Sequence, residues 1–243
     1  MTIFDRIKGR FCIKFKDRES SGNILGEALK DLIKKQDKKK CIVLGIPRGG
    51  VITAFCIASK LGCQFDIIMP RKLRAPHNEE MAIGAIMGDG TTYLNDRLVK
   101  ALEISSDYIT KEKLQQIKEI ERRTSLYFNN KKLEIGFYQI GWHNKIVILA
   151  DDGTATGATL IAATRCIKSC GDIDRIIIAT PIAPKDTVSR LKSEGIDHLE
   201  VITSPPNSMF KSVEDYYQDF HQVTDDEVIE ILARFNKKSV NPA

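Results

Sequence analysis

Two adjacent carboxylates follow a strongly apolar run in the second half of the chain. The apolar run covers residues 146–150, and Asp151 and Asp152, the acidic pair, stand directly after it. An unbroken apolar run is typical of a parallel strand buried on both faces, and ligands of open α/β sheets bind just beyond the carboxyl ends of such strands. Burying one carboxylate is costly, and two adjacent carboxylates also repel each other. The pattern therefore favours a ligand site over a purely structural turn.

The loop after the acidic pair is built from small residues, and a helix is predicted directly after it. Backbone N–H groups and threonine hydroxyls at the start of a helix bind phosphate, and carboxylates accept hydrogen bonds from vicinal hydroxyls. This combination predicts a site for a sugar phosphate. The residues of this phosphate loop are Gly153, Thr154, Ala155, Thr156, Gly157, Ala158 and Thr159.

Three other phosphate-handling motifs are excluded by the residues present. A P-loop needs Lys directly after its last glycine, where this chain has Ala158. A dinucleotide-binding fingerprint needs Gly-x-Gly-x-x-Gly, whereas the phosphate loop has only Gly153 and Gly157. A phosphatase of the haloacid dehalogenase type would need a nucleophilic Asp where this chain has Ala150.

A second loop of similar character lies far upstream. The apolar run 41–46 ends in Pro47, Arg48, Gly49 and Gly50, which we call the Arg-Gly-Gly loop, and a predicted helix follows. Glycines let the backbone approach a ligand closely, and the planar guanidinium of arginine matches phosphate oxygens. Because both loops follow buried strands, we expect them at the same edge of the sheet.

A basic segment follows a third strand candidate at 66–69. Residues 70–80 are polar, and Arg71, Lys72 and Arg74 bring three cations close together. Charge runs are usually solvated surface. Beside an anion site, this one predicts a loop that closes over the bound ligand.

The acidic pair and its flanks, at 146–159, resemble the phosphoribosyl pyrophosphate signature of type I phosphoribosyltransferases. Residues 71–85 are similar to a largely uncharacterised branch of that family, and the resemblance spans 11–232. It implies that the acidic pair binds the ribose hydroxyls, the phosphate loop the 5′-phosphate and the Arg-Gly-Gly loop the pyrophosphate. The chain departs from the family at Gly153 and Thr154, where an aliphatic residue is usual.

The resemblance implies an enzyme that transfers a 5-phosphoribosyl group to a nitrogenous acceptor and releases pyrophosphate. Arg48, Arg71 and Lys72 would stabilise the departing pyrophosphate, while Asp151 and Asp152 would favour positive character on the ribose. Mg²⁺ is the expected cofactor, held near the acidic pair mainly by substrate and water and not by a dedicated metal cage. The acceptor stays open among purines, pyrimidines, nicotinate-like rings and non-nucleotide compounds.

Segments outside the sheet help to enclose the acceptor in that family. Here residues 1–20 and 203–235 are the expected hood, and the second of them is rich in aromatic residues. Phe210 and Tyr217 are candidates for stacking on a planar acceptor, although aromatic residues at a domain end also close a core. Dimers are common in the family, so the resemblance is compatible with a homodimer.

Two other classes of function stay open. One is a regulator that binds phosphoribosyl pyrophosphate without turning it over, and the other is a Mg²⁺-dependent phosphoester hydrolase that uses the acidic pair. No helix-turn-helix segment or concentrated basic face is visible in the sequence, which disfavours nucleic-acid binding.

Strands and helices alternate along the rest of the chain, which predicts a doubly wound, mainly parallel α/β sheet. Further strands are expected at 175–179 and 199–202, with a crossover helix at 184–194. A long helical excursion is expected at 95–128, and a capping box at Thr224 opens the last helix. We expect one domain over residues 1–243.

Composition limits the remaining choices. The net charge of +5 over 243 residues suits an anionic small molecule and does not by itself indicate nucleic acid. No apolar run reaches the length of a membrane span and no signal peptide is visible, so we expect a cytoplasmic protein. The six cysteines include no Cys-x-x-Cys pair, and the four histidines are dispersed, so neither a disulfide framework nor a zinc site is expected.

Overall fold

Five parallel strands form the central sheet in the computed structural model, which describes residues 14–128 and 141–240. The apolar residues of the three central strands are buried from both sides, as a parallel sheet between two helical layers requires. The strands are β1 (Cys41–Gly45), β2 (Gln64–Ile67), β6 (Ile146–Ala150), β7 (Arg175–Ile182) and β8 (His198–Thr203).

The order of the strands in the sheet is β2-β1-β6-β7-β8. From β1 the chain builds outward to β2 on one side, and then returns to add β6, β7 and β8 on the other side. The strand order therefore reverses between β1 and β6. This switch point is where doubly wound sheets open a crevice for ligands at the carboxyl ends of the strands.

Helices cover both faces of the sheet, which confirms the doubly wound architecture. The face that carries Val43 and Ile148 packs against the first and last helices and the helix after β1. The opposite face, with Leu44 and Leu149, packs against the helices that follow β6 and β7. These helices are α1 (Arg18–Ala28), α2 (Gly49–Leu61), α5 (Ala158–Ser169), α6 (Lys185–Ser193) and α7 (Asp225–Val240).

A second, antiparallel sheet is inserted between β2 and β6, and two helices follow it. Leu73 and Ile83 pack with Ile120 of the longer helix in a small core of their own. The elements are β3 (Arg71–Ala75), β4 (Asn78–Ile86), β5 (Thr92–Leu94), α3 (Asp96–Ala101) and α4 (Ser106–Tyr127). The two helices confirm the predicted excursion at 95–128.

The basic segment is not the loop that the sequence predicted. Most of it forms the hairpin of β3 and β4, in which Leu73 and Ala75 are buried while Lys72 is exposed. The burial therefore alternates with the period of two that a half-buried strand requires. The prediction of a loop is wrong because the three cations make the segment polar overall, although its alternate residues Leu73 and Ala75 are apolar.

Smaller expectations can also be compared with the structure. Strand β2 ends at Ile67, before the predicted end at residue 69. Reciprocal hydrogen bonds between Thr224 and Glu227 confirm the capping box at the start of α7. Residues 1–13 of the expected hood lie outside the described part of the chain.

Candidate functional site

The acidic pair and the Arg-Gly-Gly loop meet at the switch point between β1 and β6. The N–H of Ile46 donates to the carbonyl of Ala150 (3.0 Å), which continues the pairing of the two strands to their ends. Both loops start directly beyond this point. The structure thus brings together the two constellations that the sequence places far apart.

The glycines of the Arg-Gly-Gly loop lie in van der Waals contact with the acidic pair. A Cβ on Gly49 would overlap the carboxylate of Asp152, and a Cβ on Gly50 would lie 2.9 Å from Oδ1 of Asp151. A larger residue at either position would push the two loops apart. The peptide bond between Pro47 and Arg48 is cis, and Arg48 precedes the first turn of α2.

Asp151 is the more buried member of the acidic pair, with 8% of its surface exposed. Its Oδ1 accepts the N–H of Asp152 (3.0 Å). Burial raises the pKa of Asp151 well above its ordinary value, and the neighbouring charge of Asp152 raises it further. The positive charge of Lys72 acts in the opposite direction, which shows that β3 brings this cation into electrostatic range of the site.

Asp152 has a different environment, because an arginine from the first helix reaches it. Nε of Arg18 donates to Oδ2 of Asp152 at 2.6 Å. The hydroxyl of Tyr217 donates to the main-chain carbonyl of the same residue, also at 2.6 Å. Asp152 is therefore held at both its side chain and its backbone.

The phosphate loop turns from β6 into α5. Thr154 is buried, and its hydroxyl accepts the N–H of Gly157 (2.9 Å), which has a φ of 73°. This left-handed conformation favours glycine. Ala155 and Thr156 are exposed, so the backbone of the loop is open to a ligand at the N-terminus of α5. Ala158 and Thr159 form the first turn of that helix.

A helix on the far side fixes the back of the phosphate loop. The hydroxyl of Thr187 in α6 donates to the carbonyl of Ala155 (2.6 Å), and the methyl group of Thr187 lies against the position of a Cβ on Gly157. A Cβ on Gly153 would overlap Val213, which comes from the hood. The loop is thus packed on both sides while its tip stays exposed.

Two of the three cations that the sequence groups together, Arg71 and Lys72, take different positions on β3. Lys72 is exposed and acts electrostatically on Asp151, as described above. The Nε of Arg71 instead donates to the side chain of Gln116 in α4 (3.0 Å). Burial lowers the pKa of the Arg71 guanidinium. The structure therefore associates Arg71 with the helical layer and Lys72 with the acidic pair.

The aromatic candidates of the hood are also placed differently. Tyr217 is 4% exposed, and its ring packs between Phe15 and Phe220. This burial corrects the expectation that Tyr217 stacks on an acceptor, because both the ring and the hydroxyl are already engaged. Phe210 is only partly buried and stacks on Tyr216 with ring centroids 6.1 Å apart.

Arg18 is the site residue that sequence reasoning missed. It stands at the first position of α1, where an arginine is ordinarily taken for a solvated residue, and it precedes Asp152 by 134 positions. No local motif links the two. Only the three-dimensional fold brings this arginine to the acidic pair.

The described residues contain few other candidates for a metal, redox or membrane function. Over residues 14–128 and 141–240 no group of three or more His, Cys, Asp or Glu side chains is arranged to hold a metal ion. The cysteines in that part of the chain are free thiols. Within the same residues no helix is long and apolar enough to cross a membrane.

The doubly wound sheet, with the acidic pair and a glycine loop at its switch point, places the protein in the α/β class. The phosphoribosyl transferase domain family matches residues 14–220, so the chain belongs to that family.

Known relatives agree with this assignment. Two proteins of Mycobacterium tuberculosis, named "Putative phosphoribosyl transferase Rv0571c" and "Putative phosphoribosyl transferase MT0597", are each 34% identical to this chain over 223 residues. The match covers 92% of this chain and 47% of each relative, so the chain spans about half the length of these proteins.

Among solved structures, TT1426 from Thermus thermophilus is similar with a TM-score of 0.71 and 32% sequence identity. The match covers 92% of this chain and 99% of that one, so the two folds correspond over almost their whole length.

Proposed function

We propose that this protein transfers a 5-phosphoribosyl group from phosphoribosyl pyrophosphate to a nitrogenous acceptor and releases pyrophosphate. The observation that carries the proposal is the contact between the Arg-Gly-Gly loop and the acidic pair at the switch point, with the phosphate loop beside them. The donor has a ribose between a phosphate and a pyrophosphate. The acidic pair, the phosphate loop and the Arg-Gly-Gly loop, which we call the three loops of the site, offer one surface for each of these parts.

The site binds the donor through groups of matching chemistry. Oxygens of Asp151 and Asp152 accept hydrogen bonds from the ribose hydroxyls. The exposed backbone of the phosphate loop and the N-terminus of α5 bind the 5′-phosphate. The pyrophosphate lies along the backbone of Gly49 and Gly50, near the guanidinium of Arg48.

Transfer requires no protein nucleophile. The bond between the anomeric carbon and the pyrophosphate oxygen breaks, and a bond from that carbon to the acceptor nitrogen forms. Positive character develops on the ribose, which the carboxylates favour, and negative charge grows on the leaving pyrophosphate. We assign the stabilisation of this charge to Arg48 and Lys72, and the contribution of Arg71 to holding β3 on α4, because its Nε is engaged by Gln116.

Mg²⁺ fits the donor set of the site. Asp151 and Asp152 supply hard carboxylate oxygens, and the described residues provide no third protein ligand close by. Such a pair suits an ion that keeps several waters and binds through substrate phosphates. The ion would supply charge neutralisation on the pyrophosphate.

The decisive assay measures pyrophosphate release from the donor with a panel of purines, pyrimidines and nicotinate-like rings. We expect release that depends on one class of acceptor and stops when Mg²⁺ is chelated. Tight donor binding without turnover for any acceptor would instead indicate a regulator. Rapid hydrolysis of simple phosphoesters without the donor would indicate a hydrolase, and either result overturns the transferase.

Asp151→Asn tests the site itself. Loss of a charged acceptor should weaken donor binding by about tenfold or more in calorimetry. Asp172→Asn is the matched control, because the Asp172 side chain is 84% exposed and lies outside the three loops. Equal donor affinity in both variants would contradict the ribose assignment.

A further inference from the structure

The ion pair between Arg18 and Asp152 is unusually well enclosed. The two side chains are 7% and 14% exposed, and Nε lies 2.6 Å from Oδ2. The arginine side chains of two other ion pairs are more exposed. Arg175, which pairs with Asp37, is 30% exposed, and Arg165, which pairs with Glu194, is 43% exposed. A pair at the surface adds little to stability, whereas an enclosed pair loses hydration and needs good geometry to persist.

Three further contacts fix the orientation of the Arg18 guanidinium. Its Nη1 donates to the carbonyl of His221 (2.8 Å), and its Cζ lies 3.7 Å above the ring centroid of Phe220. Nε would also lie 2.7 Å from a Cβ on Gly49, so Arg18 touches the Arg-Gly-Gly loop as well. A single side chain thus joins α1, the hood, the acidic pair and the Arg-Gly-Gly loop.

The contacts leave an asymmetric carboxylate. Arg18 engages Oδ2 of Asp152, whereas Oδ1 has no cation partner among the residues that the structure describes. Arg18 itself is only 6% exposed, so a ligand in the crevice meets the carboxylate and not the guanidinium. Arg18 therefore acts on the ligand through the groups it contacts, and its ion pair with Asp152 is the one charged contact among those that the structure describes.

We propose that Arg18 is a positioning residue of the donor site, which holds Oδ2 of Asp152 so that Oδ1 can accept a hydrogen bond from a ribose hydroxyl. This inference rests on the proposed function, because it assumes that the ligand is the phosphoribosyl donor. The inference goes beyond the proposed function because it assigns a role to a residue outside all three loops. Arginine suits this role better than lysine, because its planar fork contacts the carboxylate and the His221 carbonyl at the same time.

A double-mutant cycle between Arg18→Gln and Asp152→Asn tests the proposal with donor affinity as the readout. Arg18→Gln alone should weaken donor binding by about tenfold, since the carboxylate loses its oriented partner. In the Asp152→Asn background, the same change should alter affinity by less than about twofold, because Arg18 acts only through that carboxylate. Additive losses would mean that Arg18 acts on the donor directly or through the fold, and would overturn the proposal.

Arg165→Gln is the matched control for the arginine change. Arg165 also binds a carboxylate and lies over an aromatic ring, that of Tyr93, but both of these partners lie outside the three loops. We expect its donor affinity to stay within about twofold of the wild type. A loss equal to that of Arg18→Gln would show that removing any such arginine perturbs binding, which contradicts a specific role.

Arg18→Lys keeps the proposal falsifiable if Arg18→Gln does not fold. Lysine restores the positive charge but not the planar fork of the guanidinium, so the donor affinity of Arg18→Lys should lie between those of the wild type and Arg18→Gln. Full wild-type affinity would overturn the need for the fork.

Wild-type donor binding is measured first. Its absence would overturn the proposed function together with this inference, whereas wild-type binding with an additive cycle would overturn the inference alone.

Discussion

The acidic pair has two unlike sides, although its members are the same residue type in adjacent positions. On the hood side, Asp152 is held by the guanidinium of Arg18 and by the hydroxyl of Tyr217. On the sheet side, Asp151 is more deeply buried, and the cation that lowers its pKa is Lys72. The negative charge of Asp152 is compensated by an ion pair within the described part of the protein, whereas that of Asp151 is not.

This difference adds a structural task to the proposed binding role of Asp152, whereas Asp151 has the proposed binding role alone. A compensated buried charge can help to hold the hood on the loops, because removing either partner leaves the other charge stranded. An uncompensated carboxyl raises the free energy of the unliganded fold, and the raised pKa of Asp151 reflects that cost. Such groups cluster at functional sites, where a ligand supplies the missing interactions.

The largest expected effect on stability is that of Asp152→Asn. Asparagine can still accept a hydrogen bond from Arg18, but it leaves the enclosed guanidinium without a counter-charge. We expect the free energy of unfolding to fall by about 3 kcal/mol in urea denaturation. Unchanged stability would mean that the ion pair contributes nothing, and the contrast between the two sides would be lost.

Asp151→Asn should change stability in the opposite direction. The substitution removes a buried charge and its repulsion from Asp152, while the amide oxygen can still accept the N–H of residue 152. We expect the free energy of unfolding to rise by about 1 kcal/mol near neutral pH, although donor binding is weakened. A fall in stability would show that Asp151 is an anchor like its neighbour.

The sheet side of the site is largely predictable from the sequence. The runs at 41–46 and 146–150 are apolar without interruption, so their burial in a parallel sheet and the loops at their ends follow from simple physical rules. The family resemblance adds the type of ligand. The contact between Gly49 and Asp152 then follows from the strand order.

The hood side is not predictable in the same way. The partners of Asp152 come from both ends of the chain, and neither Arg18 nor Tyr217 stands in a pattern that separates it from a surface cation or a core aromatic residue. The charge of Lys72 marks it as a candidate for anion binding. The cations around it, however, make the sequence of β3 look like that of a polar loop. Long-range contacts between single side chains leave no periodicity in the sequence.

The smallest expected effect concerns Asp66, which serves as a reference for a carboxyl that, like Asp151, has no ion-pair partner among the described residues. It lies in β2, outside the three loops, and burial raises its pKa to about 6, while a hydrogen bond from the N–H of Ile67 (2.7 Å) acts against the shift. No cation is responsible for any part of this shift. Asp66 is only partly buried, but like Asp151 it is a carboxyl whose pKa is raised by burial, and it has no proposed role in binding.

Because the folded-state pKa of Asp66 is above the ordinary value of 3.8, its contribution to stability is present at low pH and is lost as the pH rises through about 6. Asp66→Asn should therefore stabilise the protein by about 1 kcal/mol near pH 8, and this gain should shrink towards pH 4. Urea denaturation at both pH values measures it, with donor affinity as the second readout. Unchanged affinity would show that relief of a buried charge does not by itself weaken the donor site, so that the loss in Asp151→Asn reports a direct contact. A loss of affinity in Asp66→Asn as large as that in Asp151→Asn would remove this distinction.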